Sequence, residues 1–205
     1  MDVKTIGVVG AGIAGREIAY LSLVAGYRTV LEDVSPTMIE RGAAFITRTL
    51  EEAVAGGALT RTARGAALAN FSVLNRVDEL CREADLLIET VPDEMEVKLE
   101  IFTIFDRFAK PNAILASNTT SLSITEMAAI TFRTEDCVGM RFFEPIATSN
   151  RLDIVRGLET SDATVATCRD LARRMGKEVV EVREAPGFLA GPAADGGARQ
   201  RGISR

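Results

Sequence analysis

The stretch from Val3 to Asp33 constrains the fold more than any other. A β-branched apolar run, Val3 to Val9, ends in "GAGIAG", Gly10 to Gly15. Ile18, Leu21 and Ala25 then recur at helical spacing up to Gly26, and a second apolar run closes on Asp33. Apolar residues three and four apart mark one face of a helix, whereas a β-branched run bounded by glycines marks a strand. Two strands joined through one helix lie parallel, since such a connection needs a dozen or more residues and a hairpin does not. The unit is therefore strand, tight loop, helix, strand.

The same alternation runs on. Ser35 followed by Pro36 opens a helix, the serine as cap and the proline in the first turn. Residues 51–69 read as two polar helical pieces parted by Gly56 and Gly57, an arm standing off the sheet. Strands at Phe71–Leu74 and Asp85–Thr90 flank a helix near Val77–Arg82. After Pro92 a helix places Val97, Ile101, Ile104, Phe105 and Phe108 on one face. Then come the strand "AILAS", a short helix at Ile124–Ala129 and the strands "CVGMRFF" and "LDIV". A helix capped by Ser161 carries Val165, Cys168, Ala172 and Met175 at core spacing, before the strand "EVVEV". Strands alternating with helices predict an α/β domain over residues 1–188, a doubly wound, mainly parallel sheet with helices on both faces. Residues 189–205 have no period and almost no large apolar side chain, the pattern of a disordered tail.

Net charge is only −5, which gives no electrostatic support for a nucleic acid partner. No run of apolar residues is long enough for a membrane span. Cys81, Cys137 and Cys168 are odd in number and widely spaced, which argues against a disulfide framework or a metal site and for reduced, buried thiols in a cytoplasmic protein.

Gly10, Gly12 and Gly15 between a strand and a helix form the G-x-G-x-x-G loop of a Rossmann-type dinucleotide site. Gly10 permits the turn, Gly12 lets amides approach a diphosphate at the helix N-terminus, and Gly15 allows close helix packing. Asp33 can accept both ribose hydroxyls and would repel a 2′-phosphate, which selects NAD over NADP. "VVGAGIAG" also opens many FAD-binding oxidoreductases, in which Glu32 would be the ribose acid, but those proteins need a longer chain and a late flavin motif.

Beyond this loop the sequence resembles the N-terminal, NAD-binding domain of the 3-hydroxyacyl-CoA dehydrogenases. The carrying residues are "GAGIAG" with Asp33, "LLIETVPDEMEVK" (86–98), "ASNTTSLSI" (116–124), "VGMRFFEP", "LDIV" and "APGF" ending at Phe188. The resemblance implies oxidation of a 3-hydroxyacyl-CoA to the 3-ketoacyl-CoA with NAD, and an acyl-CoA as the small-molecule partner. It places Asp93, where the family has Glu, together with Lys98 and Asn118 on the coenzyme side. Thr120 matches the family's substrate-contacting serine. Asp153 matches the carboxylate that orients a catalytic histidine, one carbon shorter.

That histidine is absent. The family's "HFFNP" is here Arg141 to Pro145, so Arg141 stands at the base position and Glu144 replaces an asparagine; the chain has no histidine at all. A histidine suits a base that must also return its proton, whereas a guanidinium stays protonated. An ion pair of Arg141 with Asp153 or Glu144 is the expected arrangement. The alternative is that Arg141 binds a substrate anion or polarises a ketone while Glu144 handles the proton. A further asparagine of the family falls on Gly191. The family's helical C-terminal domain, which completes the acyl-CoA site and builds the dimer, should follow Phe188, where the sequence turns to Gly, Ala and Arg. The expectation is a chain without that domain or most of the dimer interface, the product of a truncated or shifted reading frame. Such a chain would be an impaired dehydrogenase or, alternatively, a non-catalytic NAD-binding or interaction protein.

Overall fold

The computed structural model describes residues 2–184. The boundary at Phe188, the tail at 189–205, Gly191 and the "APGF" segment lie outside the described residues.

Eight strands form one sheet. They are β1 (Thr5–Val9), β2 (Arg28–Glu32), β3 (Phe71–Leu74), β4 (Leu86–Glu89), β5 (Ile114–Ser117), β6 (Cys137–Phe142), β7 (Arg151–Arg156) and β8 (Glu178–Arg183). Their order is β3-β2-β1-β4-β5-β6-β7-β8, parallel throughout except for the antiparallel β6–β7 pair. The helices are α1 (Ile13–Val24), α2 (Pro36–Ala55), α3 (Arg61–Ala69), α4 (Val77–Glu83), α5 (Met95–Phe108), α6 (Ile124–Ala129) and α7 (Asp162–Arg174). The doubly wound expectation holds.

Strand residues alternate between two cores, which is why the strands read as unbroken apolar runs. Val8, Leu31, Ile88, Ala116 and Val138 join α1, α2, α3 and α7 through Ile18, Ile46, Leu50, Ala67, Cys168 and Leu171. Val9, Val30, Leu87, Leu115 and Cys137 face α4, α5 and α6, where Leu80, Phe102, Phe105 and Met127 are buried. Each such large side chain contributes roughly 1.5–3 kcal/mol by leaving water. The side chains of Ser35 and Ser161 cap α2 and α7, accepting from the amides of Met38 and Thr164.

Two expectations change. The segment 51–69 is not an arm. α2 runs unbroken to Ala55, and Leu50 and Ala67 lie in the core, so polar residues on the outer faces had hidden a packed helical hairpin. On α5 the buried face is centred on Lys98, Phe102 and Phe105, so a lysine holds a core position. All three cysteines are free and buried, their thiols pushed up to about 12, 11 and 12 at Cys81, Cys137 and Cys168 chiefly by burial.

From β1 the chain steps outward to β2 and β3, then crosses back to lay β4 on the other side of β1. This reversal leaves a crevice beyond the carboxyl ends of β1 and β4, the position where open α/β sheets bind ligands. Among the described residues no helix is long and apolar enough to cross a membrane.

Candidate coenzyme and substrate site

Gly10 follows β1 with φ of 97°, a left-handed conformation that glycine adopts without cost. A Cβ on Gly15 would stand 1.8 Å from the Gly10 carbonyl oxygen, so α1 approaches the loop as closely as it does only because residue 15 is glycine. A Cβ on Gly12 would meet nothing within 4 Å; it would project into open space over the start of α1, where no side chain caps the helix. The hydroxyl of Thr90 donates to the carbonyls of Val9 and Gly10 at 2.9 and 3.1 Å and fixes the turn. Asp33 reaches over this loop. Its Oδ2 accepts from the Ala11 amide at 2.9 Å and its Oδ1 from the Ser35 amide at 2.8 Å. Open space over a helix N-terminus, flanked by an acid, fits a dinucleotide with its diphosphate on the amides and its ribose at Asp33.

Glu32 cannot play the ribose role weighed for it. Strand alternation turns it inward toward Cys81 and the α4 face, where it is 1% exposed and its Oε1 has no hydrogen-bond partner. Burial, and secondarily the charge of Asp33, push its carboxyl up to about 7.

Asp93, Lys98 and Asn118 gather at the ends of β4, β5 and β6. Lys98 is fully buried and donates to both oxygens of Glu89, at 2.8 and 2.9 Å. Glu89 also accepts from the Ser117 hydroxyl and the Val91 amide. Burial raises the Glu89 carboxyl against the opposing pull of Lys98 and these donors. Lys98, placed on the coenzyme side by the resemblance, is here a buried partner of Glu89, with Asp93 Oδ1 3.7 Å from its Nζ. Asp93 accepts the hydroxyls of Thr119 and Thr120 at 2.5 and 2.9 Å. Burial opposes its ionisation, but these hydroxyls and Lys98 outweigh it and hold the carboxyl below its ordinary value. The Asn118 side chain is engaged in joining strand ends, its Oδ1 accepting from the Phe142 amide at 3.0 Å.

Arg141 on β6 lies directly opposite Asp153 on β7. Its Nη2 donates to Asp153 Oδ2 at 2.5 Å and its Nη1 to the Thr120 carbonyl at 3.2 Å, so Asp153, not Glu144, is its partner. Arg151, two residues before Asp153 and on the same face of β7, adds a fork: Nε to Oδ1 at 2.6 Å and Nη2 to Oδ2 at 3.0 Å. Asp153 is fully buried between the two guanidiniums, and both stack on Phe143, 5.1 and 4.9 Å from its centroid. Glu144 is exposed and forms no ion pair among the described residues. Thr119, Thr120, Ser121 and Arg141 line a small cavity with Leu122 and Val155 as its apolar wall. A guanidinium held this way can bind or polarise, but it cannot accept a proton.

Sequence reasoning missed Glu89 and Arg151. The signal for Glu89 was an acid inside the apolar strand "LLIET", which calls for a buried cation nearby. For Arg151 it was the two-residue spacing to Asp153 on a strand, which puts both side chains on one face.

Residues 5–185 match the family described as 3-hydroxyacyl-CoA dehydrogenase, NAD binding domain. The chain is 37% identical over 190 residues to a probable 3-hydroxybutyryl-CoA dehydrogenase of Bacillus subtilis, covering 93% of this chain and 66% of that protein. It is 36% identical over 187 residues to a 3-hydroxybutyryl-CoA dehydrogenase of Bradyrhizobium diazoefficiens, covering 91% and 64%. The crystal structure of (S)-3-hydroxybutyryl-CoA dehydrogenase from Ralstonia eutropha superposes with a TM-score of 0.86 at 34% identity, covering 92% of this chain and 66% of that one. The chain spans about two thirds of the length of the curated relatives it matches.

Proposed function

Because the chain belongs to the 3-hydroxyacyl-CoA dehydrogenase family through its NAD-binding domain, we propose that it holds NAD(H) for 3-hydroxyacyl-CoA oxidoreduction, and that the corner at Arg141 leaves this reaction slow. The observation that carries the coenzyme half is the glycine cradle with Asp33 across it. NAD, when bound, supplies the hydride acceptor. The chain's own residues bind and orient. Amides at the start of α1 take the diphosphate, Asp33 takes the ribose hydroxyls and disfavours NADP, and Thr120 faces the substrate's oxygen. Asp93, Asn118 and Lys98 support the nicotinamide end, Lys98 indirectly through Glu89 and Asp93.

The proton is the missing part. A general base contributes roughly 100- to 10,000-fold, and the position that should carry it holds a permanent cation locked to Asp153. NADH binding followed by fluorescence, paired with NADH oxidation by acetoacetyl-CoA, tests the reading. Tight NADH binding with turnover far below an ordinary enzymatic rate is expected. Turnover at an ordinary rate would remove the claim that the corner is closed. The closed ion pair also favours a second reading, a coenzyme-binding protein without catalysis, which moves ahead if NADH binds and no turnover is detectable.

A further inference from the structure

The loop that joins β6 to β7 is gripped at a single peptide bond by two opposite charges. Lys177 Nζ donates to the Ile146 carbonyl at 2.5 Å, and the amide at the other end of the same peptide, that of Ala147, donates to Glu17 Oε2 at 3.2 Å. We infer that Lys177 and Glu17 are positioning residues for 3-hydroxyacyl-CoA oxidoreduction, fixing this peptide and, through the loop, Phe143, Arg141 and Thr120, a role that rests on the function proposed above.

Gly176, with φ of 75°, turns the chain out of α7, and the Lys177 amide donates back to the Ala172 carbonyl, so the root of the lysine is fixed. Its side chain is 7% exposed, and Nζ reaches a second carbonyl of the loop, that of Ser149, at 2.6 Å. Burial holds the ammonium below its ordinary value, and the charge of Glu17 opposes that. A buried ammonium is costly unless its donors are used, and among the described residues its hydrogen bonds all go to this loop. Glu17 approaches from α1, two residues beyond Gly15, on the helix whose first amides take the diphosphate. The Ile146 side chain is buried in the core and sets the loop's place, but it leaves the plane of the following peptide free to turn. A charge-assisted hydrogen bond at each end, roughly twice as strong as a neutral one, removes that freedom.

The path from this peptide to the site is short. Phe143, three residues before Ile146, stacks on the guanidiniums of Arg141 and Arg151. Arg141 Nη1 in turn holds the Thr120 carbonyl at 3.2 Å, and both residues line the cavity. Lys177 and Glu17 are not among the residues that line it, so their effect on turnover passes through the loop.

The test measures NADH affinity and acetoacetyl-CoA-dependent NADH oxidation in the full chain, for the unaltered protein, Lys177→Met, Glu17→Ala and the double variant, at a temperature where melts show each folded. NADH dissociation constants within about twofold of the unaltered chain are expected. The kcat of Lys177→Met should be lower by about 10- to 100-fold, the scale of a wall set about 1 Å off. Glu17→Ala should lose at least about threefold, the size of one hydrogen bond. The double variant should fall no further than Lys177→Met, because both side chains act on one peptide. If the unaltered chain turns over too slowly for such falls to be read, the dissociation constant of acetoacetyl-CoA for the NADH-saturated chain takes the place of kcat, with the same factors expected. Glu17 is only half-buried, so Glu17→Ala carries the test if Lys177→Met does not fold. A lower Tm with unchanged kcat or acetoacetyl-CoA affinity marks a strut for stability alone and overturns the inference. So do an equal loss of NADH affinity, and an unaltered chain that neither turns over nor binds acetoacetyl-CoA. If NADH fails to bind the unaltered chain, the coenzyme reading falls and this one with it; if NADH binds and the variants match the unaltered chain, only this one falls.

Discussion

Glu32→Gln should stabilise the protein at alkaline pH and leave it nearly unchanged at acid pH. The side chain is 1% exposed, its Oε1 is unpartnered, and burial lifts the carboxyl from 4.5 to about 7. In the unfolded chain the group ionises near its ordinary value. Between that value and about 7 the folded state therefore holds a proton that the unfolded state has released, and stability falls as pH rises across this window. Above it the deficit is complete: about 2.5 pH units at 1.36 kcal/mol each, or about 3 kcal/mol. Glutamine keeps the shape, never ionises and removes the deficit. For a domain of this size that corresponds to a rise of roughly 6–12 °C in Tm. Thermal melts of both proteins at pH 5 and pH 8 read it directly, with close agreement expected at pH 5 and the glutamine variant ahead at pH 8. Equal differences at both pH values, or a variant less stable at pH 8, would refute the assignment of a buried, proton-holding Glu32.

Other outcomes follow from the same contacts. Gly15→Ala sets a Cβ against the Gly10 carbonyl oxygen, and NADH affinity measured by fluorescence should drop at least about tenfold. Unchanged affinity would mean the loop can open without harm. Lys98→Met strands the Glu89 carboxylate in the core and should lower stability to denaturant by about 3–5 kcal/mol, with Glu89→Gln in the same chain restoring much of it. No recovery in the double variant would argue against the pair. Arg141→His with Glu144→Asn and Arg151→Gln frees Asp153 to orient an imidazole. Turnover of acetoacetyl-CoA should rise above the parent's, by up to roughly 100- to 10,000-fold if the base alone limits it. A flat rate would place the limitation elsewhere.

The parts of the fold legible in sequence were those governed by local rules. The glycine loop needs backbone geometry that only glycine supplies, and the caps at Ser35 and Ser161 pair a side chain with an amide three residues on. The short helix at Ile124–Ala129 was likewise readable. Residue chemistry at matched positions offered Arg141 either Asp153 or Glu144 as partner, and the antiparallel register of β6 and β7 selects Asp153. What stayed hidden depends on tertiary placement. The resemblance places Lys98 on the coenzyme side, but nothing local shows that Glu89, nine residues away on a buried strand, turns it into the core. Asp33 was assigned to the ribose from its position after the second strand, but the full burial of its neighbour Glu32 against α4 was not read. The packed hairpin of α2 and α3 was masked because its buried residues, such as Leu50 and Ala67, are few among polar neighbours.

The central claim is that the glycine loop and Asp33 form an NAD-selective cradle. The most direct measurement is the dissociation constant of NADH and of NADPH for the unaltered chain and for Asp33→Asn, which keeps an acceptor for the Ala11 amide but removes the charge. The account predicts NADH bound at least about tenfold more tightly than NADPH in the unaltered chain, with the gap narrowed in the variant. NADPH bound as tightly as NADH by the unaltered chain, or no binding of NADH, would contradict it.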